Sequence, residues 1–179
     1  MTVSIWLLAG IGVLGAIDIV AYHTLAHAIR RHPECRREVL IHAARGPGFM
    51  ILFGLLPNLA WEGAWFWALI AVLAAELPIS LVDFLIEKRS RSHLGGLPTG
   101  EYILHSAIAV LYGALIACVF FEGAHWASSP TGLRWEPAAV PLALRVLLGL
   151  MAAGALVACA QDLLAARRLD RAAVSERCS

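Results

Sequence analysis

Residues 18–42, DIVAYHTLAHAIRRHPECRREVLIH, carry histidines and carboxylates at helical spacing. His23 and His27 are four apart, and Glu34, Glu38 and His42 follow one another at intervals of four, so each set can occupy one helix face. A later stretch repeats the pattern, with Asp83 and Glu87 at the end of one apolar segment and Glu101 and His105 at the start of the next. Neutral imidazoles together with carboxylates suit zinc, iron or manganese, and helical bundles hold paired metals by projecting Glu and His inward from facing helices. The expected ligands are His23, His27, His42, Asp83, Glu87, Glu101 and His105, holding one or two ions of iron or zinc.

Three acids fall inside apolar segments: Asp18, Glu76 and Asp83. Each costs about 2.5–3.5 kcal/mol at a helix centre, so each must be protonated, paired, hydrated or bound to a cation. Glu76, near the middle of its segment, and Asp18 are the expected proton-handling catalytic groups. Asp18, Glu38 and Glu76 are also placed to orient the imidazoles from behind.

The elements that must position these residues are membrane helices. The chain has 179 residues, 60% of them hydrophobic, and a mean hydropathy of +0.74. Soluble domains are closer to about 45–50% apolar. The reading is an all-α integral membrane bundle, one transmembrane domain over residues 1–179, with five spans near 3–25, 39–61, 64–86, 102–121 and 139–165. The second contains Gly46-Pro47-Gly48 and either runs through a kink, with His42 and Arg45 in its first turns, or is re-entrant.

Of the 14 basic residues, 12 fall in three clusters: 30–45, 88–91 and 167–177. The positive-inside rule makes that side cytosolic, with the N-terminus outside and the C-terminus inside a prokaryotic-type inner or plasma membrane. The polar residues lie on the same side, so the site is expected to face the cytosol. This charge distribution speaks to topology and not to nucleic acid.

No basic residue precedes the first apolar run, which argues for a retained span and not a cleaved signal. Cys35, Cys118, Cys159 and Cys178 show no close pairing and no disulfide framework. Trp61, Trp65, Trp67, Trp126 and Trp135 are expected as interfacial anchors, the first three around a tight WEGAW turn. His32, His93 and His125 are expected in solvent.

The function these features suggest is a membrane-embedded metalloprotein, an oxidoreductase or hydrolase acting on a lipid-like substrate that reaches the site from the bilayer. Three rivals remain at this stage. One is a proton or divalent-cation transporter using Glu76, Asp83 and Glu87 as a ladder. Another is a b-type haem protein with two of His23, His27, His42 and His105 as axial ligands. The third is a non-catalytic subunit whose polar interface docks a cytosolic partner, and the plain structural alternative is a hydrated ion-pair belt of the His and Glu residues with Arg36, Arg37, Lys88 and Arg89.

In general layout, a small multi-span chain with His and acid residues at the cytosolic helix ends resembles integral-membrane di-iron lipid desaturases and hydroxylases. The chain has one HxxxH, at His23 and His27, and ExxxH at Glu38–His42 and Glu101–His105, in place of the HxxHH boxes of those enzymes. No catalytic role is carried over from the resemblance.

Overall fold

A computed structural model describes residues 1–178, with side chains as far as Arg171; Arg177 and Cys178 thus lie outside the described side chains. Five helices are long and apolar enough to cross a membrane. The first is α1 (Thr2–Asp18), which continues as a π-helix over Ile19–Ala26. It is followed by α2 (Arg36–Leu55), α3 (Ala64–Ser90), α4 (Thr99–Gly123) and α5 (Leu142–Cys178). Two short strands, β1 (Leu59–Glu62) and β2 (Gly132–Trp135), pair antiparallel at one end, with Trp61 opposite Leu133 and Ala60 opposite Arg134.

The second span differs from the expected 39–61. The helix begins at Arg36, directly after a short turn of 3₁₀-helix at Pro33–Cys35, and ends at Leu55. It runs through Pro47 without a break in the helix. Proline has no N–H, which strips the Ala43 carbonyl of its helical donor. Cys159 on α5 supplies one, its thiol donating to Ala43 O at 3.2 Å. Polar support from a neighbouring helix is how an apolar bundle tolerates such a residue.

The WEGAW turn is likewise different, because Leu59–Glu62 is a strand and its Trp61 points into the core. Trp61 and Trp126 are each only 4% exposed and so act as core side chains, whereas Trp65, Trp67 and Trp135 stand outward. The two buried rings are flanked by Phe66, Leu56 and Val119, which form part of a continuous apolar cluster.

That cluster fills one half of the bundle. It takes Ile5 and Leu8 from α1, Leu52 from α2, Leu69 and Leu73 from α3, Leu115 from α4 and Leu148 from α5. α1 packs mainly on α4, and α2 mainly on α5. Glu122 of α4 ties the first pair together by accepting the N–H groups of Val3 and Ser4 at 3.1 Å each. Those are free donors of the first turn of α1, which a carboxylate satisfies well. With the apolar core at this end, the buried polar side chains are left to gather at the other.

Candidate metal centre

The centre starts from the π-helix. An α-helix turns 100° per residue, so Asp18 and His23, five apart, would diverge; π-helical i to i+5 bonding brings such a pair back onto one face. His27 N–H donates to Tyr22 O at 2.9 Å in this pattern, and His23 Nε2 comes within 3.4 Å of Asp18 Oδ2. Two features hold the π segment in place. Tyr22 packs its hydroxyl against Gly100 so tightly that a side chain there would overlap it. After His27 the chain reverses at Ala28, whose φ of +47° is left-handed.

The opening of α4 then faces the same point. Glu101 Oε1 lies 3.4 Å from His23 Nε2, and Glu101 Oε2 lies 3.6 Å from His27 Nε2. One helical turn further along α4, His105 Nε2 donates to Asp18 Oδ2 at 3.0 Å, and its Nδ1 is 3.5 Å from Glu87 Oε2 of α3. Asp18, His23, Glu101 and His105 offer one donor atom each within 4.8 Å of one another. His23, Glu38 and His42 form an adjoining group.

All seven expected ligands therefore belong to one network. His42 stacks on His23 and sits 3.3 Å from Asp83. Asp83 also accepts from Arg45 Nη1 at 3.2 Å, and Arg45 Nε donates to Glu76. Glu76, expected to handle protons, is thus held by a guanidinium behind Asp83 and is not a member of the donor quartet. Asp18, given the same role, is a member of the quartet. Outside the network, His32 and His93 lie 5.6 Å apart at the surface beside Glu34, and His125 is exposed.

One residue matters more than its sequence context suggested. Arg91, counted among the basic cluster after α3, is fully buried. Its Nε donates to Glu38 Oε1 at 2.9 Å, Nη2 lies 2.8 Å from Glu87 Oε1, and Nη1 donates to Glu101. Burial works against its charge, but the bonds and charge of Glu38, with Glu87 and Glu101, outweigh it and raise the pKa above the ordinary arginine value. Glu38 is its main partner, with the second carboxylate oxygen accepting from Ser90. A basic residue just past an apolar helix carries no sequence signal that separates a buried clamp from a surface charge.

Among the described residues, six buried atoms in this region make no hydrogen bond, Asp18 Oδ1, His23 Nε2, His27 Nε2, Asp83 Oδ1, Glu101 Oε2 and His105 Nδ1, while Glu87 Oε1 meets only the Arg91 guanidinium, as an ion pair. Buried polar atoms are nearly always satisfied, so such a concentration calls for a missing partner. Charge leads to the same need. Six carboxylates (Asp18, Glu38, Glu76, Asp83, Glu87 and Glu101) face two guanidiniums, which leaves four negative charges if every imidazole is neutral. Two divalent cations, or protons on the imidazoles, would balance them.

Compared with known protein families, with curated proteins and with solved structures, the chain shows no match.

Proposed function

We propose that this chain is a membrane-embedded metalloprotein, and an enzyme that uses its buried centre on an apolar substrate arriving from the bilayer. The observation that carries the reading is the donor quartet of Asp18, His23, Glu101 and His105, with unpaired atoms on every member. These four would hold the ion. His27 and Glu87 lie next to the quartet and would complete or bridge it, while His42, Asp83 and Glu38 set its shape from behind. Two His and two carboxylates suit iron, zinc or manganese.

The metal would supply oxygen activation if it is iron, or a bound water acidified to a pKa of about 7 if it is zinc. The protein's own part is positioning. Asp18 fixes the ring of His105 through Nε2, Arg91 holds Glu101 and Glu87 at the centre, and the buried setting limits water. The orientation that fits the clustered basic residues puts the centre at the cytosolic end, with β1 and β2 outside.

The rival readings find less support. A cation ladder through Glu76 and Asp83 would have to run past Arg45, which is bonded to both. Haem ligation would need a plane between two imidazoles, but His23 and His42 stack in contact.

The test is elemental analysis of the protein purified in mild detergent, with a visible spectrum of the same sample. We expect one or two equivalents of iron or zinc per chain. A protein that inserts and folds but takes up no metal on reconstitution would refute the proposal.

A further inference from the structure

A cavity of about 990 Å³ opens between α3 and α4, with the metal centre in its wall. That is near the upper end of the usual range for small-molecule sites, about 300–1,000 Å³. It exists because α4 packs chiefly on α1 and α3 on α2, which leaves the facing surfaces of α3 and α4 apart at this end.

The lining is organised in two stripes. Tyr102, His105, Ser106 and Ala109 of α4 follow the i, i+3, i+4, i+7 spacing of a single helix face, opposite Phe84, Glu87 and Lys88 of α3. His105 and Glu87 are in contact with the centre described above. On the same two helices Leu81, Leu85 and Ile103 stand more than half exposed, as suits surfaces facing lipid. At the other extreme are Lys88, Ser92 and the turn at Gly95 and Gly96. Lys88 is exposed and makes no ion pair among the described residues. It lies at the end of α3, where a membrane helix meets the aqueous phase and where a lysine attracts anionic head groups.

We infer that this cavity is the binding site for a long-chain carboxylate, its head group on Lys88 and its chain running between α3 and α4 past His105. Its wall presents more apolar than polar surface, interrupted by Ser106, His105 and Glu87, and carries Lys88 at one end, which matches a single-chain anionic amphiphile. This placement puts the part of the chain nearest the head group against the His105 and Glu87 side of the centre. The inference rests on the proposed metalloenzyme reading for its meaning, but the binding it describes is measurable without any turnover.

The experiment uses the full chain in nanodiscs of neutral phosphatidylcholine, with metal content recorded on every sample. The probe is a long-chain fatty acid carrying a diazirine on its tail, and an alcohol of equal length is the uncharged control. Photolabelling should fall on the α3 and α4 stripes. Ala109→Trp, which fills the cavity from an exposed position, should weaken fatty-acid binding about tenfold or more. Lys88→Gln should weaken it roughly fivefold and leave the alcohol unaffected.

Unchanged binding in Ala109→Trp, or label elsewhere on the chain, overturns the site. Equal effects of Lys88→Gln on acid and alcohol overturn the anionic head group. Phosphatidylglycerol competing as well as the fatty acid overturns the single-chain occupant. Neither substituted residue is among the proposed ligands, so metal content should stay at the wild-type level in both variants. Specific labelling of a protein that binds no metal sustains the cavity and removes the metal reading, whereas a metal-loaded protein with no label does the reverse.

Discussion

The imidazole rings of His23 and His42 stack face to face, their centroids 4.4 Å apart and their planes 2° from parallel. This contact joins the π-helical end of α1 to α2, and it divides the labour between the rings. His23 Nε2 is turned toward Asp18 and Glu101, while His42 Nε2 is turned toward Asp83. His23 therefore belongs to the quartet, and His42 supports it from behind. Glu38, the third member of the adjoining group, already has both carboxylate oxygens engaged by Arg91 and Ser90.

Metal retention should follow that division. His23→Ala and His105→Ala should each lose the ion of the quartet, a fall of at least about tenfold in occupancy at limiting metal. His42→Ala should keep it, with weaker affinity. Elemental analysis of the three variants decides the matter, and full metal in both His23→Ala and His105→Ala would remove these residues from the site.

Acid should release the metal. A ring nitrogen of His23 or His105 can take a cation only when it carries no proton. Protons and metal thus compete for the same imidazoles, so occupancy should be retained on the alkaline side and fall as pH drops. Metal retention after dialysis across a pH series reads this directly, and release that is instead favoured by rising pH would contradict it.

Arg91 should be essential to the fold at this end. Replacing it with leucine leaves Glu38, Glu87 and Glu101 buried without their common partner, and removing one side of a buried ion network costs about 3–5 kcal/mol. Arg91→Lys should recover only part of the loss, because a single ammonium cannot span three carboxylates from α2, α3 and α4. The check is the thermal or denaturant midpoint in detergent. A midpoint equal to wild type in Arg91→Leu would mean that the three carboxylates are neutral in the folded protein.

Two glycines that flank Pro47 should respond oppositely. A Cβ on Gly46 would stand 2.6 Å from Cys159 Cβ and 3.4 Å from the Ala155 carbonyl, so Gly46→Ala should push α2 off α5 and destabilise by about 1–3 kcal/mol. Gly48 has open space, and Gly48→Ala should be neutral or stabilising by up to about 1 kcal/mol. Equal midpoints for the two variants would contradict the close packing of α2 on α5.

The sequence by itself determined the helices and most of the polar roster. Five apolar runs define five helices, because backbone groups in a low-dielectric setting must bond within their own segment. The four-residue spacings of Asp83–Glu87 and Glu101–His105 are true helical neighbours, so those pairs were legible. Tertiary structure decided the rest. Periodicity at 3.6 residues per turn separates Asp18 from His23, and only the π-helix reunites them.

The local pair with Glu87, four residues before it, does not mark Arg91 as buried, since the carboxylates that complete its environment lie 53 residues before it and 10 after it in the chain. Trp61 and Trp126 read as surface anchors because composition cannot tell a half-wet indole from one that a two-stranded sheet presses into the core. The meeting of α1, α2, α3 and α4 at one buried centre depends on which helices are neighbours. Helical period fixes a face within each segment but carries no information about the partner that face will find.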